Sequence, residues 1–375
     1  MVLPPLDESR NTLPRLEHDE NDVVRVLCVD GGGIKGLLPL QAIKDLEEKT
    51  GKPVSELFDL MVGTSTGGII VSSLAVPGPD GKPKWSADEL IQKYIKMVKS
   101  AFTNSLIHKV ITCNGIFGAK IESRGFDQLL HNHYGEIQMS ELLTGVSIPC
   151  FSITKNRPGL FNSRHLPGGM NHNFRVADVI GGITAAPIYF RPMRISDVTN
   201  KNEDIIIDAG IYAKDPVLFA SNIATQIFPG RRMIIVSLGT GTNPGFVDSL
   251  QRPRWGLSKW GPILYELATR GQSITVDWML RIQAGAPLPP VIGYYRIDET
   301  LAPNTDHWYY TGPGQAAELN QTGRKMVEKN QDKIKEIADV LGNPTIKNVM
   351  NKGDIGITPW TETLDNEKNP AKSQE

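Results

Sequence analysis

The sequence G-T-S-T-G at positions 63–67 places Ser65 between two glycines, directly after the mostly apolar run at 58–62. A strand that turns sharply at a serine and continues as a helix holds the hydroxyl clear of the backbone, as in the nucleophile elbow. The helix that begins there also directs unpaired N–H groups toward negative charge formed at the serine. Glycine-rich turns that contain serine are common, so the motif alone leaves two interpretations open: a nucleophile and an ordinary turn.

A second glycine-rich stretch, D-G-G-G-I-K-G at positions 30–36, follows the apolar run at 23–29. Three uses fit it: backbone N–H donors for an oxyanion, a phosphate-binding loop, or a simple tight turn. A dinucleotide site would require a second strand that ends in an acidic residue about 20 residues further on. That part of the chain instead reads G-K-P at 51–53, and the next strand leads to Ser65. The pattern therefore favours the oxyanion use over a nucleotide-binding protein.

A neutral serine hydroxyl needs a base, and the chain has seven histidines. None follows a clear strand in a glycine turn, and the order serine, acid, histidine leaves only His307, which lies in a stretch typical of an ordinary loop. Asp208 is better placed, because it ends a strand-like run with three isoleucines at 205–207 and A-G follows it. We expect its carboxylate at the same edge of the sheet as Ser65, where partial burial would make it a usable base. A carboxylate that caps a neighbouring turn is the other interpretation.

The surrounding pattern indicates the elements that position these residues. The β-branched run at 23–29 is typical of a strand buried on both faces, and apolar residues then recur at helical spacing up to Gly51. With strand-like runs before Ser65 and at 146–153, this order predicts a parallel sheet with helices on its faces. Further strands are predicted at 205–207, 233–238 and 291–297, and helices at 176–186, 262–282 and 316–340. We expect one large α/β domain, with its site at the carboxyl ends of the strands.

Composition limits the classes of partner and the domain organisation. The 375 residues carry a formal net charge of −1, so nucleic acid is excluded as the main partner. The three cysteines are scattered, and no Cys or His spacing indicates a metal site. The N-terminus lacks the apolar core of a signal peptide, and no apolar stretch reaches the roughly 18 residues that span a bilayer, which predicts a cytoplasmic protein. We expect a flexible arm at 1–21, a hydrolytic domain at 22–345 and a polar, disordered tail at 346–375.

In this order along the chain, D-G-G-G-I-K-G, G-T-S-T-G and D-A-G at 208–210 resemble the signature of the patatin-like phospholipase family: D-G-G-G-x-[KR]-G, G-x-S-x-G and D-G-[GA]. The stretches T-A-A-P-I-Y-F at 184–190 and S-L-G-T-G at 237–241 are similar to it too, so the resemblance covers roughly residues 23–300. Two positions depart from the family. Ala209 stands where glycine is usual and is expected to strain the turn that holds Asp208, and K-D-P at 214–216 stands where N-N-P is common.

The resemblance implies a three-layer α/β/α fold and a Ser–Asp dyad without histidine. Ser65 would attack an ester carbonyl while Asp208 takes its proton. The implied oxyanion hole consists of backbone N–H groups of Gly31, Gly32, Gly33 and Thr66. The implied activity is that of a phospholipase A or lysophospholipase, a serine ester hydrolase of lipid degradation at the membrane periphery. Its substrates would be phospholipids and other acyl lipids, and the dyad itself requires no metal or cofactor.

The main alternative is a catalytically weak lipid-binding or storage protein of the same fold, against which an intact Ser65 and Asp208 argue. Some bacterial members of the family are defence effectors switched on by cyclic nucleotides, so the resemblance also allows a small-molecule activator or a homo-oligomer. An acyl chain is predicted to enter past 103–140 or past 252–260. In the second stretch Trp255 and Trp260 stand among basic residues, which suits a membrane interface and equally suits packed tryptophans beside solvated cations.

Overall fold

The computed structural model describes residues 23–102, 121, 124–164, 166, 172–242, 257–284, 290–302, 308–309 and 312–342. The predicted arm at 1–21 and tail at 346–375 lie outside these residues. The strands are β1 (Val24–Val29), β2 (Leu60–Gly63), β3 (Gly145–Ser152), β4 (Arg157–Asn162), β5 (Met193–Ser196), β6 (Glu203–Asp208), β7 (Met233–Leu238) and β8 (Val291–Ile297). The helices are α1 (Leu37–Thr50), α2 (Val54–Leu57), α3 (Thr66–Ala75), α4 (Ala87–Ala101), α5 (Arg124–Tyr134), α6 (Val176–Ile183), α7 (Gly210–Ala213), α8 (Val217–Ile227), α9 (Leu257–Ala284), α10 (Pro313–Lys329) and α11 (Gln331–Gly342).

The eight strands form one sheet whose main order is β5-β6-β3-β2-β1-β7-β8. The five strands β3, β2, β1, β7 and β8 run parallel, β4 and β6 pair antiparallel with β3, and β5 pairs antiparallel with β6. The predicted α/β domain with a central, mostly parallel sheet is therefore confirmed.

Strand β1 shows why the domain has three layers. Leu27 and Val29 are fully buried in a core shared with α1, α3, α4, α10 and α11. The alternate residues Val26 and Cys28 are fully buried in a second core shared with α8 and α9. Because successive side chains of a strand point to opposite faces, helices must cover both sides of the sheet. The run at 23–29 is apolar throughout for that reason.

The register of β3 determines how the site is assembled. Ser147 pairs with Val62 of β2 and with β4, whereas Cys150 pairs with Asp208 of β6 and with β4. A strand has only two edges, so β2 and β6 share the edge of β3 that β4 does not occupy. Because β2 runs parallel to β3 and β6 antiparallel, their carboxyl ends approach each other end to end. Asp208 therefore meets the turn after β2 head-on, rather than lying side by side with it as in a parallel sheet.

Local signals account for several boundaries. Helix α1 ends before Gly51, which adopts the left-handed conformation with φ 65°, and Ser86 forms the capping box at the start of α4. The prediction of a single helix at 316–340 is wrong, because the structure has two helices there, α10 and α11, which are separated at Asn330. The side-chain amide of Asn330 donates to the Met326 carbonyl over 2.9 Å. Strands β4 and β5 were not predicted, since both lie toward the edges and are partly exposed. None of the helices in the described ranges is long and apolar enough to cross a membrane.

Candidate active site

Ser65 lies at the turn between β2 and α3 with φ 53° and ψ −116°. A positive φ is uncommon for a residue with a side chain, and such strain concentrates at functional sites. The flanking glycines are required by close backbone contact. A Cβ on Gly63 would lie 2.3 Å from the Gly67 carbonyl, and one on Gly67 would lie 2.1 Å from the Val29 carbonyl oxygen. The elbow therefore admits no side chain at either flanking glycine position.

Asp208 at the end of β6 accepts a hydrogen bond from the Ser65 hydroxyl over 2.6 Å at Oδ2, and one from the Gly210 amide over 2.7 Å at Oδ1. Its side chain is 5% exposed, and this burial raises the pKa of the carboxyl to about 6, although both hydrogen bonds favour the ionised form. Such a group can accept a proton near neutral pH and return it. The prediction that Ala209 strains this turn is wrong, because the residue has ordinary right-handed helical backbone angles, φ −80° and ψ −3°.

The glycine loop after β1 runs beside the elbow, since a Cβ on Gly31 would lie 3.4 Å from the Cβ of Ser65. The Gly31 amide donates to the Lys214 carbonyl over 2.8 Å, and the Gly31 carbonyl accepts from Thr240 Oγ1 over 2.7 Å. Gly31 is therefore an anchor of the loop rather than one of the predicted oxyanion donors, because its N–H is already engaged.

Three predicted donors remain: Gly32, Gly33 and Thr66. Gly33 begins a single 3-10 turn, Gly33–Gly36, and Thr66 begins α3, and the first amides of a helix have no acceptor within it. No side chain fits at either glycine. A Cβ on Gly32 would lie 2.4 Å from Thr240 Oγ1, and one on Gly33, where φ is +57°, would lie 1.9 Å from the Trp308 carbonyl oxygen.

Tyr94 on α4 connects the glycine loop after β1 with the first residue of α3. Its fully buried hydroxyl contacts Thr66 Oγ1, and both hydroxyls lie within hydrogen-bond distance of the Gly33 carbonyl oxygen. The last glycine of the D-G-G-G-I-K-G motif makes room for this cluster, because a Cβ on Gly36 would lie 2.8 Å from the Tyr94 oxygen. From the sequence, Tyr94 is only one apolar position on a helix face. No local signal could have found it, since 61 residues separate it from Gly33.

The acidic residue that opens the glycine loop is held by a buried cation. Arg296 on β8 pairs with Asp30 through both ends of its guanidinium, at 2.8 and 2.7 Å, and lies 3.1 Å from Asp215 and 2.8 Å from Asp298. Burial, reinforced by the nearby Asp30 carboxylate, raises the pKa of Asp215, and the Arg296 guanidinium opposes this shift. The K-D-P turn at 214–216 is thereby tied to the glycine loop through Arg296.

Ser65 and Asp208 open into a pocket whose wall is mostly apolar. Side chains of α4, α5 and the segment after α6 supply most of the wall: Met97, Val98, Ala101, Phe102, Phe126 and Phe190. Of the region at 103–140 that was predicted to cover the site, Phe126 therefore reaches the pocket, and 103–120 lie outside the described residues.

None of the histidines in the described part of the chain lines this pocket. His131 lies 3.6 Å from Asp178 and His133 stacks on Trp85, away from Ser65. His307, the base that a Ser–acid–His order would require, lies outside the described residues, as do His18, His108 and His165. Trp255 also lies outside them, and Trp260 lies within the bounds of α9.

Comparison with known proteins places these residues in a family. A family model described as Patatin-like phospholipase matches residues 27–221, a range that contains the glycine loop, the elbow and Asp208. Patatin-T5 of Solanum tuberosum is 26% identical over 343 residues, which cover 83% of this chain and 86% of the relative. Probable inactive patatin-3-Kuras 1 of the same plant is 27% identical over 309 residues, or 76% of this chain and 80% of the relative. A solved structure of human GIVD cytosolic phospholipase A2 is similar with a TM-score of 0.47 and 10% identity, over 88% of this chain and 62% of that one.

Proposed function

The chain belongs to the patatin-like phospholipase family, and from that premise we propose that it is a lipid acyl hydrolase of the phospholipase A or lysophospholipase type. It cleaves fatty-acyl esters of membrane glycerophospholipids. The observation that carries the proposal is the 2.6 Å hydrogen bond that the Ser65 hydroxyl donates to a buried Asp208, at the wall of an apolar pocket. A cytoplasmic location at the membrane periphery belongs to the same proposal.

The first half of the reaction forms an acyl-enzyme. Ser65 Oγ attacks the ester carbonyl carbon while its proton passes to Asp208 Oδ2, and the carbonyl π electrons move to the oxygen. When the tetrahedral intermediate collapses, the bond to the alcohol oxygen breaks and the Asp208 carboxyl returns the proton to that oxygen. A lysolipid or its equivalent leaves, and the fatty acyl group stays on Ser65.

The second half repeats these steps with water. Asp208 takes a proton from water as the water oxygen attacks the acyl carbon, and the proton then returns to Ser65 Oγ as the fatty acid departs. In both halves the oxyanion accepts hydrogen bonds from backbone amides, for which we propose Gly32, Gly33 and Thr66. Each such donor contributes roughly 3 kcal/mol to lowering the barrier in comparable sites.

The rival function is a lipid-binding or storage protein with weak or no catalysis, and one relative carries "inactive" in its name. The intact hydrogen bond between Ser65 and Asp208 favours the enzyme. A fluorophosphonate probe separates the two, because it labels an activated serine without requiring turnover. We expect labelling of the native chain and none of Ser65→Ala.

The direct experiment is release of fatty acid from phosphatidylcholine and from a soluble short-chain ester. Ser65→Ala and Asp208→Asn should each lose about three orders of magnitude or more in activity. Ser72→Ala is the matched control, because Ser72 is a buried serine of α3 whose hydroxyl has no hydrogen-bond partner among the described residues. Equal activity in the native chain, Ser65→Ala and Asp208→Asn would refute the dyad.

A further inference from the structure

Helix α9 (Leu257–Ala284) buries one face and exposes a second apolar one. The buried face packs toward α7, α8 and β8, and it contains Thr269, Ser273, Val276, Leu280 and Ala284. Another face carries six large apolar side chains that are each 39% to 53% exposed: Leu264, Leu267, Ile274, Trp278, Met279 and Ile282. These are six of the nine large hydrophobic side chains that the described residues expose, and such a concentration marks an interaction surface.

The exposed face is a continuous, uncharged strip. With 100° between successive helical residues, the six side chains fall within an arc of about 140°, and the strip from 264 to 282 is about 27 Å long. No Asp, Glu, Lys or Arg lies within this arc. The four charged residues of that stretch, Glu266, Arg270, Asp277 and Arg281, all fall on one flank.

We propose that this face of α9 docks on a lipid bilayer that contains anionic phospholipid, with the helix axis in the plane of the surface. The proposal rests on the proposed function, whose substrate is a membrane lipid. An amphipathic helix binds such a surface by burying its apolar arc at the boundary of headgroups and acyl chains, where tryptophan is preferred.

The sequence composition around the start of α9 favours an anionic bilayer. From 249 to 265 the sequence contains three cations and no Asp or Glu. Anionic headgroups supply the missing negative charge, and each cation near such a surface contributes about 1 kcal/mol to binding. The flank at 266–281 carries charges of both signs, so a second copy of the chain stays the alternative occupant in the test below.

Helix α9 is also tied to the catalytic loops. Its middle residue Gln272 accepts a hydrogen bond from the Asp215 amide over 3.0 Å and donates to the Asp215 carbonyl over 2.9 Å. Helix α7, against which α9 packs, begins two residues after Asp208 and exposes Ile211. Through Gln272 and α7, α9 is therefore linked to the Asp208 side of the site, although it covers the face of the sheet opposite the pocket wall.

The test compares binding to phosphatidylcholine vesicles made with and without phosphatidylglycerol. Ile274→Asp and Met279→Asp place a charge in the strip at side chains that are 46% and 47% exposed. Ile153→Asp is the matched control, because Ile153 is 43% exposed and lies in the turn between β3 and β4. In vesicle flotation we expect the two α9 variants to bind at least about tenfold more weakly, the control to bind like the native chain, and anionic lipid to strengthen native binding.

Hydrolysis of a soluble short-chain ester separates docking from catalysis. The α9 variants should keep that activity and their thermal midpoint while losing hydrolysis of vesicle phospholipid. Native chain that binds vesicles but cleaves neither substrate would refute the proposed function and support the docking face. Variants that bind vesicles like the native chain would overturn the docking face. The docking face would also be overturned if light scattering showed a native dimer that Ile274→Asp dissociates without any change in vesicle binding. A second copy of the chain would then cover the strip.

Discussion

Replacing Asp208 by asparagine should remove activity and at the same time stabilise the folded protein at neutral pH. Burial raises the pKa of this carboxyl from about 4 in an unfolded chain to about 6 in the fold. Below about pH 4 the group is protonated in both states, so it adds no pH dependence. Between pH 4 and 6 the unfolded chain loses the proton that the fold retains, and the free energy of unfolding falls. The total loss is about 3 kcal/mol, and it persists above pH 6.

The asparagine of this variant is neutral at every pH, and its amide oxygen can still accept the hydrogen bond that the Gly210 amide donates to Asp208 over 2.7 Å in the native chain. Urea unfolding of both proteins should therefore give similar free energies near pH 4 and a difference that grows to about 3 kcal/mol in favour of Asp208→Asn above pH 6. Hydrolysis of a soluble ester by the native chain should rise with pH and reach half its maximum near pH 6, because only the ionised carboxylate accepts the Ser65 proton. Parallel unfolding curves at all pH values, or a flat native pH–rate profile, would refute this reasoning.

Asp204, four residues earlier on β6, provides a control, because its pKa is shifted in the opposite direction to that of Asp208. Burial alone would raise the pKa of Asp204, but hydrogen bonds from Ser152 and from Lys155 outweigh it and lower the pKa. The native Asp204 therefore contributes stability above the pKa of the unfolded chain, and this contribution is lost as the pH falls through the folded pKa. Asp204→Asn should be less stable than the native chain at neutral pH, with the difference shrinking in acid, and it should retain activity.

Four further predictions concern other residues of the fold. Tyr94→Phe removes only the hydroxyl that links Gly33 and Thr66, so kcat should fall about tenfold with KM unchanged. An effect on KM alone would contradict a role of Tyr94 in positioning the oxyanion donors. Gly67→Ala should prevent folding, because its Cβ would lie 2.1 Å from a backbone oxygen. Gly271→Ala, with no atom within 4 Å of the added Cβ, should raise the free energy of unfolding by up to about 1 kcal/mol in urea titrations. Arg296→Met leaves the buried carboxylates unpaired and should cost about 3–5 kcal/mol in the same assay, which unchanged stability would contradict.

The local parts of the site were predictable from the sequence because each depends on short-range backbone sterics. Glycines at 63 and 67 are needed where a Cβ would meet another backbone at 2.3 Å or less, and the sequence shows them on both sides of Ser65. Asp208 was predictable for another reason, since it ends a run of β-branched isoleucines that is typical of a strand. The direction of that strand was not predictable, because a single strand carries no signal for whether its neighbour runs parallel or antiparallel.

Contacts between distant parts of the chain were also beyond the sequence. The engagement of the Gly31 amide depends on the Lys214 carbonyl, and any residue supplies a carbonyl. Arg296 reaches Asp30 across 266 positions, and an arginine in a strand is ordinarily assigned to solvent. The carboxyl groups of Asp30, Asp215 and Asp298 all contact this one guanidinium. Their convergence is a property of the folded chain, and no pattern in the sequence indicates it.

The end-to-end approach of β2 and β6 makes the dyad depend on strand register. A slip of one residue between β6 and β3 would move Asp208 by about 3.3 Å and turn its side chain to the other face of the sheet. The 2.6 Å hydrogen bond to Ser65 could not survive such a slip. Contacts outside the dyad fix the register: the Asp208 amide donates to the Ala185 carbonyl over 3.1 Å, and the Tyr212 hydroxyl donates to the Cys150 carbonyl over 2.6 Å. Strands β5 and β6 contribute Ile195 and Ile206 to the core, and β6 in addition aims the base at a nucleophile carried by a different strand.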